Sequence, residues 1–306
     1  MFLCAKIIQY QETEMSDLPT LSIVTPCLNQ AAYVEKTIQS IHDQSYPYLE
    51  HIVMDGGSTD GSLEIIKRYA DRLVWVSEPD GGQYHAIAKG FAKTTGEVMA
   101  WLNSDDIYLP GALRVIGEIF RDFPDVEWIT TRFPLGIDNR GTLIKMAYFS
   151  GFSKSNFLRG DYLPACGWKA MGFIQQESTF WRRSLWEKAG SAFHGTLHYA
   201  GDFELWSRFF EHAQLYGVDV PLGCFRRHDM QKTSNFFQKY LDEAKSVFLN
   251  AGGRVLPQPI QTLRMRLIRA CDTSATCRRH ASQIGLLKGI RNITYDWGRS
   301  CWAKEN

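Results

Sequence analysis

The chain has 306 residues, of which 44% are hydrophobic and 22% charged, values typical of a globular protein with a well-buried core. Its formal net charge of +1 creates no overall field that would attract nucleic acid, so no nucleic-acid partner is expected. No apolar run approaches the ~20 residues that span a bilayer. The seven scattered cysteines form no Cys-x-x-Cys pair, which indicates reduced thiols in the cytoplasm.

Strands and helices alternate over the first half of the chain. Apolar runs predict five strands, which are LSIVT, LEHIVMD, LVWVSE, EVMAWLN and VEWITT in chain order. The helices predicted between them are AAYVEKTIQSIHDQ, SLEIIKRYADR, GGQYHAIAKGFAKT and residues 110–121. Ser58 or Asp60 is expected to cap the second helix, and Pro110 suits the first turn of the fourth. This alternation predicts a mostly parallel sheet with helices on both faces.

The alternation stops after Thr131. Residues 132–170 predict a hairpin and a variable binding segment, and STFWRRSLWEKAG predicts a strand that leads into a helix. AGDFELWSRFFEHA predicts an amphipathic helix, LYGVDVPLGCFRRH two short strands, and residues 235–250, 259–270 and 278–291 three closing helices. We expect a flexible leader at 1–19, a main domain at 20–252 with halves 20–131 and 132–252, and a basic helical extension at 253–306.

Polar residues follow the predicted parallel strands where each strand ends. They are Thr25-Pro26, Asp55 to Ser58, Glu78 to Asp80, and Asn103 to Asp106. Because parallel sheets bind ligands at the carboxyl ends of their strands, we expect these residues to converge on one edge. Asp105 and Asp106 are adjacent carboxylates at the end of a buried strand. A nearby cation would offset their repulsion and the cost of removing them from water.

Five stretches of the chain stand in a characteristic order, namely SIVTPCLNQ, IVMDGGSTDGS, EPDGGQYHAIAKG, WLNSDDIYLPGAL and GDFELWSRF. In that order and spacing they resemble glycosyltransferase family 2, the inverting nucleotide-sugar transferases. A sixth, FRRHDMQKTS, resembles the basic segment that often follows, so the resemblance covers roughly residues 20–235. It implies an α/β fold of the GT-A (Rossmann-like) type with a C-terminal helical extension here. It also implies a nucleotide-diphosphate sugar donor, with UDP-sugars favoured, and Mg²⁺ or Mn²⁺ as cofactor.

The resemblance also assigns residues to the donor. Asp105 matches the last acid of the family's Asp-x-Asp motif and is the expected metal ligand, while Asn103 stands where the first Asp is usual. An amide binds a cation more weakly than a carboxylate but still hydrogen-bonds a ribose. Asp55 is expected to accept the N3–H of the base. The other expected nucleotide-sugar contacts are Thr25, Pro26, Asn29, Asp80, Lys89 and Ser104.

Asp202 matches the family's general base, which removes the proton of the acceptor hydroxyl during direct displacement at the anomeric carbon. Its place at a helix N-terminus favours the ionised form that a base requires. Glu204 is expected to support the site or the surface. Asp106, Gln176 and Glu177 are expected near the acceptor or the donor sugar. His228 is a second candidate metal ligand, and Ser234 a candidate pyrophosphate contact. Asp55, Asp105 and Asp202 are therefore expected to share one pocket.

Structural roles remain open alternatives for these residues. Asp55 could form an Asx-turn, Asp105 and Asp106 could be loop caps, and Asp202 could be a helix N-cap. His85 and Ala88 depart from the family pattern, which expects Asp and Asn there. A catalytically impaired sugar-nucleotide-binding or scaffold protein is therefore the alternative function. The glycine-rich loops of nucleotidyltransferases and of dinucleotide dehydrogenases are absent after the first predicted strand.

The basic C-terminal segment suggests a location. From Arg254 onward Lys and Arg outnumber acids, which fits docking on an anionic membrane surface. The resemblance implies a glycan or lipid-linked acceptor in polysaccharide or lipopolysaccharide biosynthesis. We therefore expect a cytoplasmic enzyme that associates peripherally with the inner face of the membrane.

Overall fold

The computed structural model describes residues 17–163, 173–255, 257–271, 277, 281, 287 and 289–305. The chain divides into two compact units. The first consists of Met1–Val126 with Phe180–Arg183, and the second of Glu127–Thr179 with Ser184–Asn306. Most of the predicted leader lies outside the described residues. None of the helices in the described ranges has both the length and the hydrophobicity needed to cross a bilayer.

The secondary structure follows the predicted order closely. The strands are β1 (Leu21–Cys27), β2 (Leu49–Asp55), β3 (Val74–Ser77), β4 (Val98–Trp101), β5 (Ile107–Tyr108), β6 (Trp128–Thr131), β7 (Leu135–Ile137), β8 (Leu143–Met146), β9 (Thr179–Arg182), β10 (Leu215–Val218), β11 (Gly223–Arg226), β12 (Arg291–Asp296) and β13 (Cys301–Lys304). The helices are α1 (Val34–His42), α2 (Ser62–Lys67), α3 (Gln83–Phe91), α4 (Ala112–Asp122), α5 (Lys154–Phe157), α6 (Arg183–Lys188), α7 (Gly201–His212), α8 (Lys232–Asn235), α9 (Phe237–Asn250) and α10 (Gln258–Cys271). A 3-10 helix occupies Gln176–Ser178.

The sheet of the first unit has the strand order β9-β4-β1-β2-β3. β1 pairs parallel with β2 and β4, and β2 pairs parallel with β3. In this register Cys27 lies opposite Asp55, and Asp55 lies opposite Ser77. The carboxyl ends of three parallel strands therefore coincide, which confirms the predicted convergence of their loops. β9 runs antiparallel to β4, a pairing that local sequence patterns do not reveal.

The core of the first unit explains why these segments pack as they do. α1 buries Val34, Ile38 and Ile41, the apolar positions at helical spacing. α3 lies so close to β1 that a Cβ on Gly90 would come within 2.5 Å of Val24 Cγ1. Only glycine permits this close approach of the last turn of α3 to β1.

Two helix starts differ in detail from the sequence prediction. α4 begins at Ala112, and Pro110 lies outside it because Gly111 takes a left-handed conformation with φ of 83°. At α2 the N-cap is Gly61, which has no side-chain cap, so neither Ser58 nor Asp60 is the capping residue that the sequence predicts. Asp60, one residue earlier, accepts from the N–H (3.0 Å) and the hydroxyl (2.6 Å) of Ser62 in the first turn. The Ser58 hydroxyl instead bonds the loop after β1 and the end of β2.

The second unit contains a sheet with the order β13-β12-β10-β6 and a separate β11-β7-β8 arrangement. β7 and β8 form the predicted antiparallel hairpin. Trp128 of β6 packs against Trp206, Phe209 and Phe210 of α7, which buries the aromatic face predicted for that helix.

The C-terminal segment is only partly helical. α10 matches the predicted helix at 259–270, whereas most of the helix expected at 278–291 lies outside the described residues. Residues 291–304 form β12 and β13, and β12 pairs parallel with β10 through Gly217 and Asn292. Strand pairing to a distant partner fixes this segment, so its own short hydrophobic pattern could not predict it. The predicted domain bounds stay predictions, although residues after 252 group with the second unit.

Candidate functional site

Hydrogen bonds tie together the loops that follow β1 and β2. The main-chain N–H of Asn29 donates to Ser58 Oγ (2.8 Å), and its side-chain carbonyl accepts from the N–H of Thr59 (2.9 Å). The N–H of Ala31 donates to the Asp60 carboxylate at 2.9 Å. The two loops therefore form one structured rim, and Asn29 holds that rim together whatever contact it makes with a ligand.

Asp55 ends β2 and is 2% exposed. Its Oδ2 accepts from the N–H groups of Gly57 (3.2 Å) and Ser58 (3.1 Å) and from Ser77 Oγ (2.6 Å). Its Oδ1 accepts from Ser58 Oγ at 2.5 Å. The carboxylate thus shapes the turn and joins β2 to β3, as the Asx-turn alternative requires. Its role in reading the base stays a prediction.

Gly56 lets the Leu28 and Asp80 side chains pack closely against this turn. A Cβ at this position would lie 3.0 Å from Asp80 Oδ2 and 3.4 Å from Leu28 Cδ1. Asp80 is half-buried, and its Oδ1 accepts from the N–H of Gly82 (2.7 Å). Leu28 is 56% exposed. An exposed apolar side chain and a carboxylate therefore lie side by side at Gly56, a pair that can contact the face and the edge of a heterocycle.

Leu28 was missed by sequence reasoning. Its signal was available, since a large apolar residue directly follows β1 and precedes a polar loop in CLNQ. A large apolar residue at this position lies next to the predicted ligand-binding edge of the sheet.

Thr25 and Pro26 are buried within β1. Thr25 Oγ1 lies 3.0 Å from His51 Nε2, and His51 Nδ1 lies 3.0 Å from His42 Nε2. The Thr25 side chain therefore contacts the interior histidine pair. Only its main chain remains to form the pocket wall that the sequence predicts.

The buried histidine gives a pH dependence of stability. Burial, and to a smaller extent the neighbouring His42, lowers the pKa of His51 from 6.5 to about 3. His51 is therefore neutral in the folded protein, while the unfolded chain binds its proton near pH 6.5. Neutral His51 therefore contributes fully to the free energy of unfolding above pH 6.5. This contribution is lost as the pH falls from 6.5 toward 3, at up to about 1.4 kcal/mol per pH unit for one proton.

We expect urea unfolding between pH 7.5 and 4.5 to show this loss. His51→Gln keeps a polar partner for Thr25 and should reduce the slope of unfolding free energy against pH. His194→Gln, at an exposed position, is the matched control and should keep the wild-type slope. Equal slopes in the wild type and His51→Gln would show that the buried histidine does not titrate on unfolding.

The loop after β4 presents Asp105. Gln83 Nε2 donates to Asn103 Oδ1 (2.7 Å), and Asn103 Nδ2 donates to Asp106 Oδ2 (3.3 Å). The hydroxyl of Thr37 lies within hydrogen-bond distance of the carbonyl oxygens of Ser104 (2.9 Å) and Asp106 (2.7 Å).

Burial separates the two acids of this loop. Asp106 is 1% exposed and Ser104 4%, whereas Asp105 is half-buried. Asp105 is therefore the carboxylate of the pair that a ligand can reach, and Asp106 supports the loop through Asn103.

The donor set of this loop suits a hard divalent cation bound together with a diphosphate. No three His, Cys, Asp or Glu side chains group as metal ligands within the described ranges. Mg²⁺ sites commonly use one or two carboxylates and complete their coordination with substrate phosphates and water. Asp105 fits that pattern, whereas the carbonyl oxygen of Asn103 already accepts from Gln83.

Lys89 on α3 pairs with Glu78 at 2.6 Å. The hydrogen bond from Lys89 holds the pKa of Glu78 below its usual value. Both side chains are well exposed, and exposed ion pairs contribute little to stability. The ammonium group could therefore exchange this carboxylate for a diphosphate at small cost.

Asp202 lies half-buried in the first turn of α7. Glu204 pairs with Arg208, which donates to it at 2.8 and 2.7 Å and also to the carbonyl of Ala192 at 2.7 Å. Glu204 therefore supports the helix, as expected. Gln176 and Glu177, in the 3-10 helix before β9, are buried at 8% and 3% exposure.

His228 lines a cleft of ≈ 510 Å³ in the second unit together with Arg227, Asp229 and Asn235. Arg226 does not join it, because its side chain is 1% exposed and donates to the carbonyls of Asp138 (3.3 Å) and Asn139 (3.4 Å). The side chain of Ser234 lies outside the described residues. The metal role of His228, and the sharing of one pocket by Asp55, Asp105 and Asp202, stay predictions.

Comparison with known proteins decides the family. The model of glycosyl transferase family 2 matches residues 22–187, more than half of the chain. The chain belongs to glycosyltransferase family 2. This family 2 chain is 26% identical over 239 residues to an uncharacterized glycosyltransferase of Rickettsia typhi, covering 75% of this chain and 70% of the relative. It is 36% identical over 178 residues to an uncharacterized glycosyltransferase of Mycobacterium tuberculosis, covering 58% and 63%.

Solved structures confirm the GT-A fold of this family 2 glycosyltransferase. S. aureus TarS 1-349 in complex with UDP-GlcNAc has a TM-score of 0.57 at 14% identity, covering 87% of this chain and 75% of that chain. Glucosyl-3-phosphoglycerate synthase from Mycobacterium tuberculosis, in complex with Mn²⁺, UDP and phosphoglyceric acid, has a TM-score of 0.52 at 17% identity, covering 78% and 80%.

Proposed function

We propose that this family 2 glycosyltransferase moves a sugar from a nucleotide-diphosphate sugar to an acceptor hydroxyl with inversion at the anomeric carbon. The observation that carries the proposal is the register of β1, β2 and β3, which brings Leu28, Gly56 and Asp80 together on one structured rim. The loop that holds Asp105 follows β4, the parallel neighbour of β1. The complexes of TarS with UDP-GlcNAc and of the synthase with Mn²⁺ and UDP support the donor class.

The first unit supplies the donor contacts. The base is proposed to lie against Leu28 and Asp80, where a carboxylate oxygen can accept the N3–H of uracil, and a UDP-sugar is the favoured donor. Asn103 is oriented by Gln83 toward the ribose, and Lys89 leaves Glu78 to meet the diphosphate. Asp105 would hold Mg²⁺ or Mn²⁺, which when bound offsets the charge of the departing diphosphate.

The second unit supplies the base. In a direct displacement the acceptor oxygen bonds to the anomeric carbon as the bond to the diphosphate breaks, and Asp202 accepts the hydroxyl proton. Its place in the first turn of α7 favours the carboxylate form before the reaction. The buried polar residues Gln176 and Glu177 are proposed to line the acceptor side.

Release of nucleoside diphosphate tests this proposal. UDP-, GDP- and dTDP-sugars are incubated with the protein and Mg²⁺ or Mn²⁺, and water takes the place of the acceptor, so that each turnover yields one nucleoside diphosphate and one free sugar. Sustained release from one nucleotide class, suppressed by EDTA, supports a metal-dependent transferase. No release from any donor, with binding retained, would instead favour a sugar-nucleotide-binding protein. Asn103 gives that alternative a basis, because its amide oxygen binds a cation more weakly than the carboxylate usual at that position.

A cell-surface glycan pathway and membrane docking complete the proposal. A putative teichuronic acid biosynthesis glycosyltransferase of Bacillus subtilis is 36% identical over 93 residues, covering 29% of this chain and 36% of that protein. α10 has no Asp or Glu, and its Ile260, Leu263 and Leu267 are 55%, 60% and 46% exposed. Apolar residues beside basic ones are typical of helices that lie on anionic bilayers.

We expect the full chain to sediment with liposomes that contain anionic lipid. Leu263→Asp with Leu267→Asp should weaken this binding at least tenfold, because two charges then oppose insertion and the anionic surface. Leu143→Asp, at an exposed position of β8, is the matched control. Equal sedimentation with neutral and anionic liposomes would argue against docking by this segment.

A further inference from the structure

We propose that Glu243 of α9 is a positioning residue for Asp202, because it fixes the main chain from which α7 starts. This inference rests on the proposed role of Asp202 as general base. Glu243 is half-buried and follows Asp202 by more than 40 positions in sequence, so no local sequence pattern connects it with the base.

The geometry of Glu243 is specific. Its Oε1 accepts from the N–H of His198 at 3.0 Å, and its Oε2 accepts from the N–H groups of Tyr199 and Ala200 at 2.8 Å each. These are the last three residues before α7 begins at Gly201. Ala200 has no side-chain oxygen that could cap the helix locally, so a carboxylate from another helix holds this turn.

A second set of contacts holds the opposite side of the same turn. Lys232 Nζ donates to the carbonyl of His198 at 2.5 Å and lies 5.1 Å from the ring centroid of Tyr199. Lys239 of α9 lies 5.7 Å from the same ring. Residues 198–200 are therefore held through both their N–H and their carbonyl groups. Such double anchoring is what we expect of a turn that must hold the next side chain, Asp202, in one place.

The chemistry explains why glutamate is needed at 243. A carboxylate accepts three N–H bonds on two oxygens, and charge-assisted bonds are roughly twice as strong as neutral ones. Glutamine offers one acceptor oxygen and directs its NH₂ group at a donor. The turn before Asp202 would then shift, and a displacement of about 1 Å at a reacting group can cost on the order of 10²-fold in rate.

The consequence concerns turnover and leaves donor binding intact. Glu243 contacts the second unit's turn, whereas the proposed donor contacts Leu28, Asp80 and Asp105 lie in the first unit. Loss of Glu243 should therefore lower kcat and leave KM for the donor unchanged. A contribution to folding alone would change stability and leave the kcat of folded protein intact.

Steady-state kinetics with Glu243→Gln tests the proposal, with thermal unfolding measured in parallel. We expect kcat to fall about 10- to 100-fold with donor KM within twofold of wild type. Glu243→Asp keeps the charge on a shorter arm and should recover part of the loss. Asp242→Asn is the matched control on the same helix, because Asp242 is exposed and accepts from Gln238 at 2.9 Å, and it should keep full activity.

A double substitution separates positioning from general damage. In the Asp202→Asn background, Glu243→Gln should cause no further loss, because the group it positions has already gone. Equal fold-losses in both backgrounds would overturn the proposal, as would a kcat within twofold of wild type. If Glu243→Gln fails to fold, Glu243→Asp must show the same pattern at smaller size. Full activity of Asp202→Asn alone would instead reject the base assignment, and this inference with it.

Discussion

Replacing Asp202 with asparagine is expected to lower kcat by about 10²- to 10⁴-fold, the usual contribution of a general base. Asparagine keeps the size and much of the hydrogen bonding of the side chain but cannot accept the hydroxyl proton. The donor KM should stay near the wild-type value, because the lost interaction develops only as the proton moves.

The measurement is initial-rate transfer at saturating donor, with Glu211→Gln as the matched control. Glu211 lies on the same helix and pairs with Lys154 at the surface (2.7 Å), so its loss should leave kcat unchanged. A rate for Asp202→Asn within threefold of wild type would show that another group removes the proton. Asp202 would then be a helix-capping residue only.

Replacing Asp105 with asparagine is expected to remove metal-stimulated turnover, at a cost of about 10²- to 10³-fold in kcat/KM. Stabilising the departing diphosphate by a cation is worth several kcal/mol, and each 1.36 kcal/mol is about tenfold in rate. Asp105 is the reachable carboxylate of its loop, so no neighbour in that loop compensates easily.

The measurement is a Mn²⁺ titration of the initial rate for wild type and variant. Asp122→Asn, which removes a partner of Arg121 on α4 (2.7 Å), is the matched control and should keep the wild-type Mn²⁺ response. An unchanged Mn²⁺ response in Asp105→Asn would move the cation to other ligands. A wild-type rate unaffected by EDTA would show that the reaction needs no divalent cation.

Local sequence was enough to predict which loops meet at the carboxyl edge of the sheet but not which side chains pair within them. The alternation of strands and helices predicted a parallel sheet, and the ends of β1, β2 and β4 followed from that geometry. Short-range chemistry also identified the Asx-turn alternative for Asp55 in DGGSTDG, which the hydrogen bonds of its carboxylate support.

The missed contacts all depend on residues distant in sequence. Ser77 donates to Asp55, and Gln83 donates to Asn103, across 22 and 20 positions. Glu243 reaches the turn before α7 across more than 40 positions. β12 likewise depends on pairing with β10. Tertiary packing selects such partners, and one sequence carries no local signal for them.

The most direct test of the central claim is calorimetric titration of the wild-type chain with UDP in Mn²⁺ and in EDTA. The account predicts saturable binding at one site, at least tenfold tighter with Mn²⁺, and weakened by Gly56→Leu, whose side chain would displace Leu28 and Asp80 from their positions beside residue 56. Absence of binding by UDP, GDP and dTDP under both conditions would contradict it. Binding that Gly56→Leu leaves unchanged would place the nucleotide elsewhere.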